Sequence, residues 1–201
     1  MIQLHNQDCL EAMKSMKTDQ FDLAIVDPPY GMLEAGMQMG GKKGSSFQRK
    51  EVNKWDKKPP KEYFDELFRV SKNQIIWGGN YFGLPPTREC ICWDKKNCMP
   101  SFSRWEMAWT SFKGVMKMYE HISQNPNRIH PTQKPVALYM WLLNTYAKQG
   151  DKILDTHIGS GSIAIACHEL KYDLEGYEIN KKYYQKTMYR LKQHQRQLKL
   201  F

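Results

Sequence analysis

No stretch of this 201-residue chain approaches the roughly 18–20 uninterrupted apolar residues of a membrane-spanning helix. Met1 to Asn6 also lacks the basic-then-apolar layout of a secretory signal, so a soluble, cytoplasmic protein with no membrane partner is expected. Cysteine is scarce. Cys9, Cys90, Cys92, Cys98 and Cys167 are odd in number, and none has a second cysteine three positions on, the spacing of a zinc site or a redox dithiol. Reduced structural thiols and no metal site are the expectation. Internal repeats and low-complexity tracts are missing, and acids are few relative to bases, 21 against 30.

The chain does contain 41% apolar residues, with 6 Trp, 11 Tyr and 8 Phe, which excludes a disordered or collagen-like protein and suits one domain over residues 1–201 with a real core. A net charge of +9 and an isoelectric point near 9.2 favour a polyanionic partner through counterion release. The bases cluster in two places. Lys42, Lys43, Arg49, Lys50, Lys54, Lys57 and Lys58 fall among Gly31, Gly36, Gly40, Gly41 and Gly44, so residues 31–60 read as a long, mobile, basic loop insertion. From Lys181 on, Lys182, Lys186, Arg190, Lys192, Arg196 and Lys199 occur without an acid, while Tyr183, Tyr184, Thr187, Met188 and Leu191 recur at helical spacing. That segment reads as a terminal helix with a solvated basic face.

Short apolar runs alternate with amphipathic helical patterns, an α/β signature. Asp8 caps a first helix carrying Leu10, Met13 and Met16, and Phe21 to Val26 is a buried strand ending at Asp27. Pro59-Pro60 opens a helix with Tyr63, Phe64, Leu67, Phe68 and Val70 on one face, followed by a strand over 73–77 that Gly78-Gly79 stops. Further strands are read at 89–93 and 105–109. The last third reads as a helix from Pro135 to Lys148, a strand over 152–155, a helix over 163–170, a strand over 174–178, and a final helix capped by Asn180.

Two motifs carry chemistry. Asp155-Thr156-His157-Ile158-Gly159-Ser160-Gly161-Ser162 lies between a strand and a helix, where glycine lets the backbone approach a ligand. It has neither the lysine of a phosphate-binding loop nor the third glycine of a dinucleotide fingerprint, and Glu178 ends the next strand where an acid accepts from ribose hydroxyls. An adenosine-bearing ligand without phosphate, such as S-adenosylmethionine, fits this pattern. The second motif is Asp27-Pro28-Pro29-Tyr30 at a strand end, where open α/β sheets bind ligands. Two prolines stiffen the turn and remove donors, leaving the Asp27 carboxylate and the Pro28 carbonyl to accept the two N–H bonds of an exocyclic base amine. Those bonds favour a pyramidal nitrogen over the planar, delocalised one, and Tyr30 can stack on an extruded base.

With Asp8-Cys9, Asp27-Pro28-Pro29-Tyr30, His130-Pro131-Thr132-Gln133-Lys134-Pro135, Asp155 with Gly159-Ser160-Gly161-Ser162, and Glu178 with Asn180, the chain resembles the S-adenosylmethionine-dependent N6-adenine DNA methyltransferases in their β-class motif order. The resemblance implies a Rossmann-like class I methyltransferase fold: a seven-stranded, mostly parallel sheet with one antiparallel strand and helices on both faces. It implies Asp27, Pro28, Pro29 and Tyr30 as catalytic residues, with Asp27 also bordering the cofactor. Asp8 and Cys9 would hold the cofactor adenine, Glu178 the ribose, and the turn Gly159, Ser160, Gly161 and Ser162 would pass the methionine moiety, with Asp155 and Asn180 also among the cofactor-binding residues. His130, Thr132, Gln133 and Lys134 would close over the cofactor's carboxylate end.

Two departures stand out. The family's Asp-Pro-Phe is here Asp155-Thr156-His157, and only about 20 residues separate Trp109 from His130, where the family commonly inserts a target-recognition region. Recognition of double-stranded DNA then falls to the basic loop, through Lys42, Lys43, Arg49, Lys50 and Lys54, with Trp55 or Phe47 as a stacking or wedging group. So small a loop implies a second subunit, a homodimer, or a short, loosely defined target. Tyr81 and Phe82 are read as shaping the base pocket, with core packing an equal reading for Phe82; Trp93-Asp94-Lys95 is a minor candidate beside a surface ion pair. Methylation of cytosine N4, methylation of RNA adenine, and an inactive nucleic-acid-binding module are the alternatives that remain open on these residues.

Overall fold

The computed structural model describes residues 1–32, 56–96, 103–123 and 127–197. Lys42, Lys43, Phe47, Arg49, Lys50, Lys54, Trp55, Cys98 and Lys199 lie outside the described residues.

The described elements run β1 (Ile2–His5), α1 (Cys9–Lys14), β2 (Phe21–Val26), α2 (Lys61–Val70), β3 (Ser71–Trp77), a 3-10 turn (Gly79–Tyr81), β4 (Cys90–Asp94) and β5 (Trp105–Thr110). They continue with β6 (Lys117–Glu120), α3 (Val136–Tyr146), β7 (Lys152–Asp155), α4 (Ser162–Leu170), β8 (Asp173–Tyr177) and α5 (Lys181–Arg196). The strands form one sheet in the order β1-β8-β7-β2-β3-β5-β4-β6. Among the described strands only β5 runs against its neighbours, β3 and β4.

The described residues hold eight strands where seven were expected, and the two that the sequence pattern does not announce, β1 and β6, are the two edges. An edge strand has one neighbour and needs no continuous buried apolar run, so four-residue segments such as Ile2–His5 and Lys117–Glu120 give no clear period-two signal. The central strands are legible for the opposite reason. Along β2, Leu23 and Ile25 join the core under α3 and α4, while Phe21, Ala24 and Val26 join the core under α1 and α2. A strand covered on both faces reads as an unbroken apolar run.

Helix starts follow the capping chemistry read from the sequence. The Asp8 carboxylate accepts from Leu10 and Glu11 N–H, and the Asn180 carbonyl accepts from Lys182 and Tyr183 N–H. Pro60 and Pro135 precede α2 and α3 in extended conformation.

Edge strand β6 is tied to the body through Glu89, which is buried. Its carboxylate accepts from Gly114 N–H at 2.7 Å and Tyr146 O–H at 2.7 Å and pairs closely with Lys117 on β6. Burial alone would raise the pKa of Glu89, but Lys117, Tyr146 and Gly114 outweigh it and hold the carboxyl below its ordinary value. Because the folded-state pKa is depressed, this stabilisation is present above about pH 4.5 and is lost as pH falls through the folded value. Glu89→Ala leaves Lys117 and Tyr146 without their acceptor and is expected to cost about 3–5 kcal/mol in urea denaturation at pH 7. The cost should shrink below about pH 4.

Candidate active site

From β2 the chain crosses through α2 to β3 on one side, and from β7 it crosses through α4 to β8 on the other. The neighbours β2 and β7 therefore flank the point where the winding reverses, where open α/β sheets leave a crevice outside the carboxyl ends of the strands. Asp27 follows β2 and Asp155 ends β7, so both motifs read from the sequence meet at this crevice.

Asp27 is fixed by two donors. Tyr30 O–H donates to one carboxylate oxygen at 2.8 Å and the Lys134 ammonium to the other at 2.6 Å. Lys134 is buried, lies over the Trp77 ring at 5.0 Å and stands 3.2 Å from a Glu106 carboxylate oxygen. The ring of Tyr30 is stacked on Tyr81 at 5.1 Å and meets Phe82 edge-on at 6.0 Å. Gly78 makes this possible: its φ is +68°, and a Cβ there would come within 2.3 Å of the Tyr30 ring. The two aromatic candidates of this turn separate. Phe82 is buried in the core beneath α2, whereas Tyr81 keeps 37% of its surface exposed beside Tyr30.

Across the crevice, Glu178 accepts from Gly159 N–H at 3.2 Å and from Asn180 N–H at 2.8 Å, joining the glycine turn to the end of β8. Helix α5 grips the turn from outside. Thr187 O–H donates to the Gly159 carbonyl at 2.5 Å, and Arg190 donates to the Ser160 carbonyl at 2.7 Å and to Ser162 Oγ at 3.0 Å. A Cβ on Gly161 would lie 2.5 Å from Thr187. Thr187 and Arg190 were read only as members of a helical stripe and a solvated basic face. The signal in the sequence was their spacing, three positions apart on one face and one turn beyond Tyr183.

The His130 hexapeptide reaches the same turn. A Cβ on Gly159 would lie 3.7 Å from His130 Nδ1, and the His130 ring packs edge-on against Tyr183 at 4.4 Å. Burial, then Lys134 and Lys186, push the His130 pKa down to about 4, so the ring is neutral. Within the hexapeptide, Thr132 bonds His130 Nδ1 at 3.1 Å, and the Gln133 carbonyl accepts from Ile129 N–H at 3.0 Å. Lys134 is placed on Asp27, its ammonium directed at the tetrad.

Where the family pattern has Pro-Phe, this chain builds a polar relay. Tyr63 O–H and Thr156 Oγ1 bond at 2.6 Å, Thr156 Oγ1 and His157 Nδ1 at 2.9 Å, and the His157 ring stands edge-on to Tyr63 at 5.5 Å. Asp8 caps α1 at the same end of the sheet, and burial followed by the Asp8 charge pushes the Cys9 thiol up to about 12. Cys9 is thus an uncharged thiol. The sequence reading missed Asp56, which is buried and accepts from Gly31 N–H at 3.0 Å. That bond pins the residue that leaves the tetrad to the chain returning toward α2. Trp93-Asp94-Lys95 resolves into ion pairs, Asp94 with Arg104 at 3.2 Å and Lys95 with Glu106 at 2.5 Å.

Asp155 is buried and accepts from His157 N–H at 2.9 Å. Burial, opposed by that N–H and reinforced by the charges of Asp27 and Glu178, pushes its carboxyl up to about 8. Its folded-state pKa lies above the ordinary value of 3.8, so its favourable contribution is present at low pH and is lost as pH rises toward about 8. Asp155→Asn is therefore expected to raise stability relative to the parent at pH 8.5 and to leave a smaller difference at pH 5. Urea midpoints at the two pH values measure this.

Residues 106–189 match the N6/N4 methyltransferase family, described as DNA methylase. The chain is 26% identical to the type II methyltransferase M.HpaI of Haemophilus parainfluenzae over 92% of this chain and 72% of that protein. It is 22% identical to the type II methyltransferase M2.DpnII of Streptococcus pneumoniae over 91% of this chain and 86% of that protein. Among solved structures, it superposes on the complex of M1.HpyAVI with SAM at a TM-score of 0.64 and 21% identity, covering 95% of this chain and 99% of the other. It superposes on the cytosine-N4-specific PvuII DNA methyltransferase at 0.63 and 12% identity, covering 94% and 86%. The chain is thus similar in sequence to type II methyltransferases and, over residues 106–189, to the DNA methylase family, and it shares the fold of M1.HpyAVI and of the PvuII enzyme.

Proposed function

We propose that this protein transfers a methyl group from S-adenosylmethionine to the exocyclic N6 of an adenine extruded from double-stranded DNA. The observation that carries the reading is the placement of Asp27. Its carboxylate is held by Tyr30 and Lys134 at the carboxyl end of β2, across the reversal crevice from Asp155 and the glycine turn.

The donor set around the turn fits the cofactor. Glu178 and Asp155 are carboxyl groups whose pKa values burial raises, and a cationic, hydroxyl-bearing ligand relieves both. Arg190 is spent on the Ser160 carbonyl and Ser162, so it does not make the turn a phosphate cradle. Glu178 with Asn180 would hold the ribose, Asp8 and Cys9 the adenine, and Gly159, Ser160, Gly161 and Ser162 the methionine moiety, with His130 packed over the turn. Bound there, S-adenosylmethionine supplies a methyl group on a positively charged sulfur.

The remaining chemistry belongs to this chain. The base amine donates one N–H to Asp27 and one to the Pro28 carbonyl, which localises the nitrogen lone pair toward the reacting face. Each Asp27 oxygen retains acceptor capacity beyond its present bond. Tyr30, stacked on Tyr81, extends an aromatic platform beside the base, and the exposure of Tyr81 leaves it open to contact. Asp27 need not be a strong base, because the amine becomes acidic only as it gains the methyl. The basic segment 31–60, with Lys42, Lys43, Arg49, Lys50, Lys54 and Trp55, is assigned to phosphate and groove contacts, and Asp56 on Gly31 secures its base.

Cytosine N4 is the second reading, favoured by the likeness of the fold to a cytosine-N4-specific enzyme. An aspartate rather than a serine at position 27 supports adenine. Nucleoside mass spectrometry of DNA incubated with the protein and S-adenosylmethionine is expected to show N6-methyladenine; N4-methylcytosine alone overturns the choice of base. Asp27→Ala is expected to lower transfer by about 10²–10³-fold or more while cofactor binding by calorimetry persists. Full activity in that variant would remove Asp27 from the chemistry.

A further inference from the structure

Lys134 is a buried cation whose hydrogen-bond partner, Asp27, must keep acceptor capacity for the substrate. A second anion stands beside it. Because β5 alone runs antiparallel, its first residues, Trp105 and Glu106, lie at the end of the sheet where the parallel strands finish. Glu106 pairs in register with Trp93 on β4, and its carboxylate reaches Lys134 Nζ at 3.2 Å with one oxygen and Lys95 Nζ at 2.5 Å with the other. Lys95 follows β4 and lies over the Trp93 ring at 5.6 Å, as Lys134 lies over Trp77 at 5.0 Å. The result is a row of alternating charge, Lys95, Glu106, Lys134, Asp27, with no net charge and two indole faces beneath its cations.

We propose that Glu106, backed by Lys95, is a positioning residue that holds Lys134 against the Asp27 carboxylate. The inference rests on the methyl-transfer reading above. Glu106 touches neither reacting atom. Its effect passes through Lys134: with the Glu106 charge removed, two ammonium groups face each other with no anion between them. Among the described residues Asp27 is then the one counter-charge of Lys134, and repulsion from Lys95 displaces the pair. Misplacing a catalytic acceptor by an ångström is enough to cost about 10²-fold in rate. Glu106 belongs to no motif and Lys95 only to the minor candidate Trp93-Asp94-Lys95, and strand direction brings the two together at the site.

The test is single-turnover transfer of labelled methyl to DNA by Glu106→Gln, together with the KM for DNA and calorimetric affinity for S-adenosylhomocysteine, whose sulfur is uncharged. The expected result is a rate reduced at least about tenfold, with KM and S-adenosylhomocysteine affinity within about twofold of the parent. A smaller loss of rate, or a loss carried by KM or product affinity, overturns the proposal. If Glu106→Gln does not fold, as judged by circular dichroism and urea unfolding, the comparison of Lys134→Met with Lys134→Met/Glu106→Gln decides. Equal rates support action through Lys134, and a further loss of more than about twofold overturns it. A parent protein that transfers no methyl to DNA defeats the methyltransferase reading itself, a result distinct from an active parent matched by its variant.

Discussion

The contact on which the site depends is the ion pair between Lys134 and Asp27, made across 107 positions of chain. A buried ammonium without its carboxylate is strongly unfavourable, and so is a carboxylate deprived of its cation in the same surroundings. Each residue therefore fixes the other. Through that bond the segment leading into α3 is registered against the end of β2, and the same segment brings His130 onto the glycine turn. One electrostatic constraint thus joins the tetrad, the hexapeptide and the turn.

The opposite wall of the crevice is organised by hydrogen bonds to main chain. The Gly159 and Ser160 carbonyls of the glycine turn accept from Thr187 and Arg190 of α5, and Glu178 accepts from the N–H groups of Gly159 in the turn and Asn180 at the start of α5. Arg190 carries a cost for this, since burial lowers its pKa. The turn is consequently shaped before any ligand arrives, its conformation set by a helix that makes no direct claim on the chemistry. Preorganised backbone of this kind spends little on ordering when a ligand binds.

Much of this was legible in the residues. Capping at Asp8 and Asn180, prolines before α2 and α3, and the unbroken apolar run of β2 are local rules, and local rules survive folding. The tetrad was visible because so specific a string is rare at a strand end, and the glycine turn because it lies between a strand and a helix with an acid ending the next strand. The edge strands β1 and β6, Asp56, Glu89, Glu106, Thr187 and Arg190 were not. Their roles come from partners distant in sequence, and nothing in their immediate neighbours distinguishes a buried glutamate from a surface one. Lys134 marks the boundary: its motif was evident, yet its ammonium is directed to Asp27, while the motif alone pointed to the cofactor's carboxylate end.

By itself the sequence determined the alternation of strands and helices, the ends of most of them, and two loops fit for nucleotide-like chemistry, because each follows from backbone sterics and side-chain spacing within a few residues. Only the tertiary structure decided that β2 and β7 lie side by side at the reversal of the sheet, that β5 runs backward to deliver Glu106, and that α5 turns Arg190 inward. Strand order and direction are set by how apolar faces of separate elements are buried together, a global balance that no short window of residues encodes.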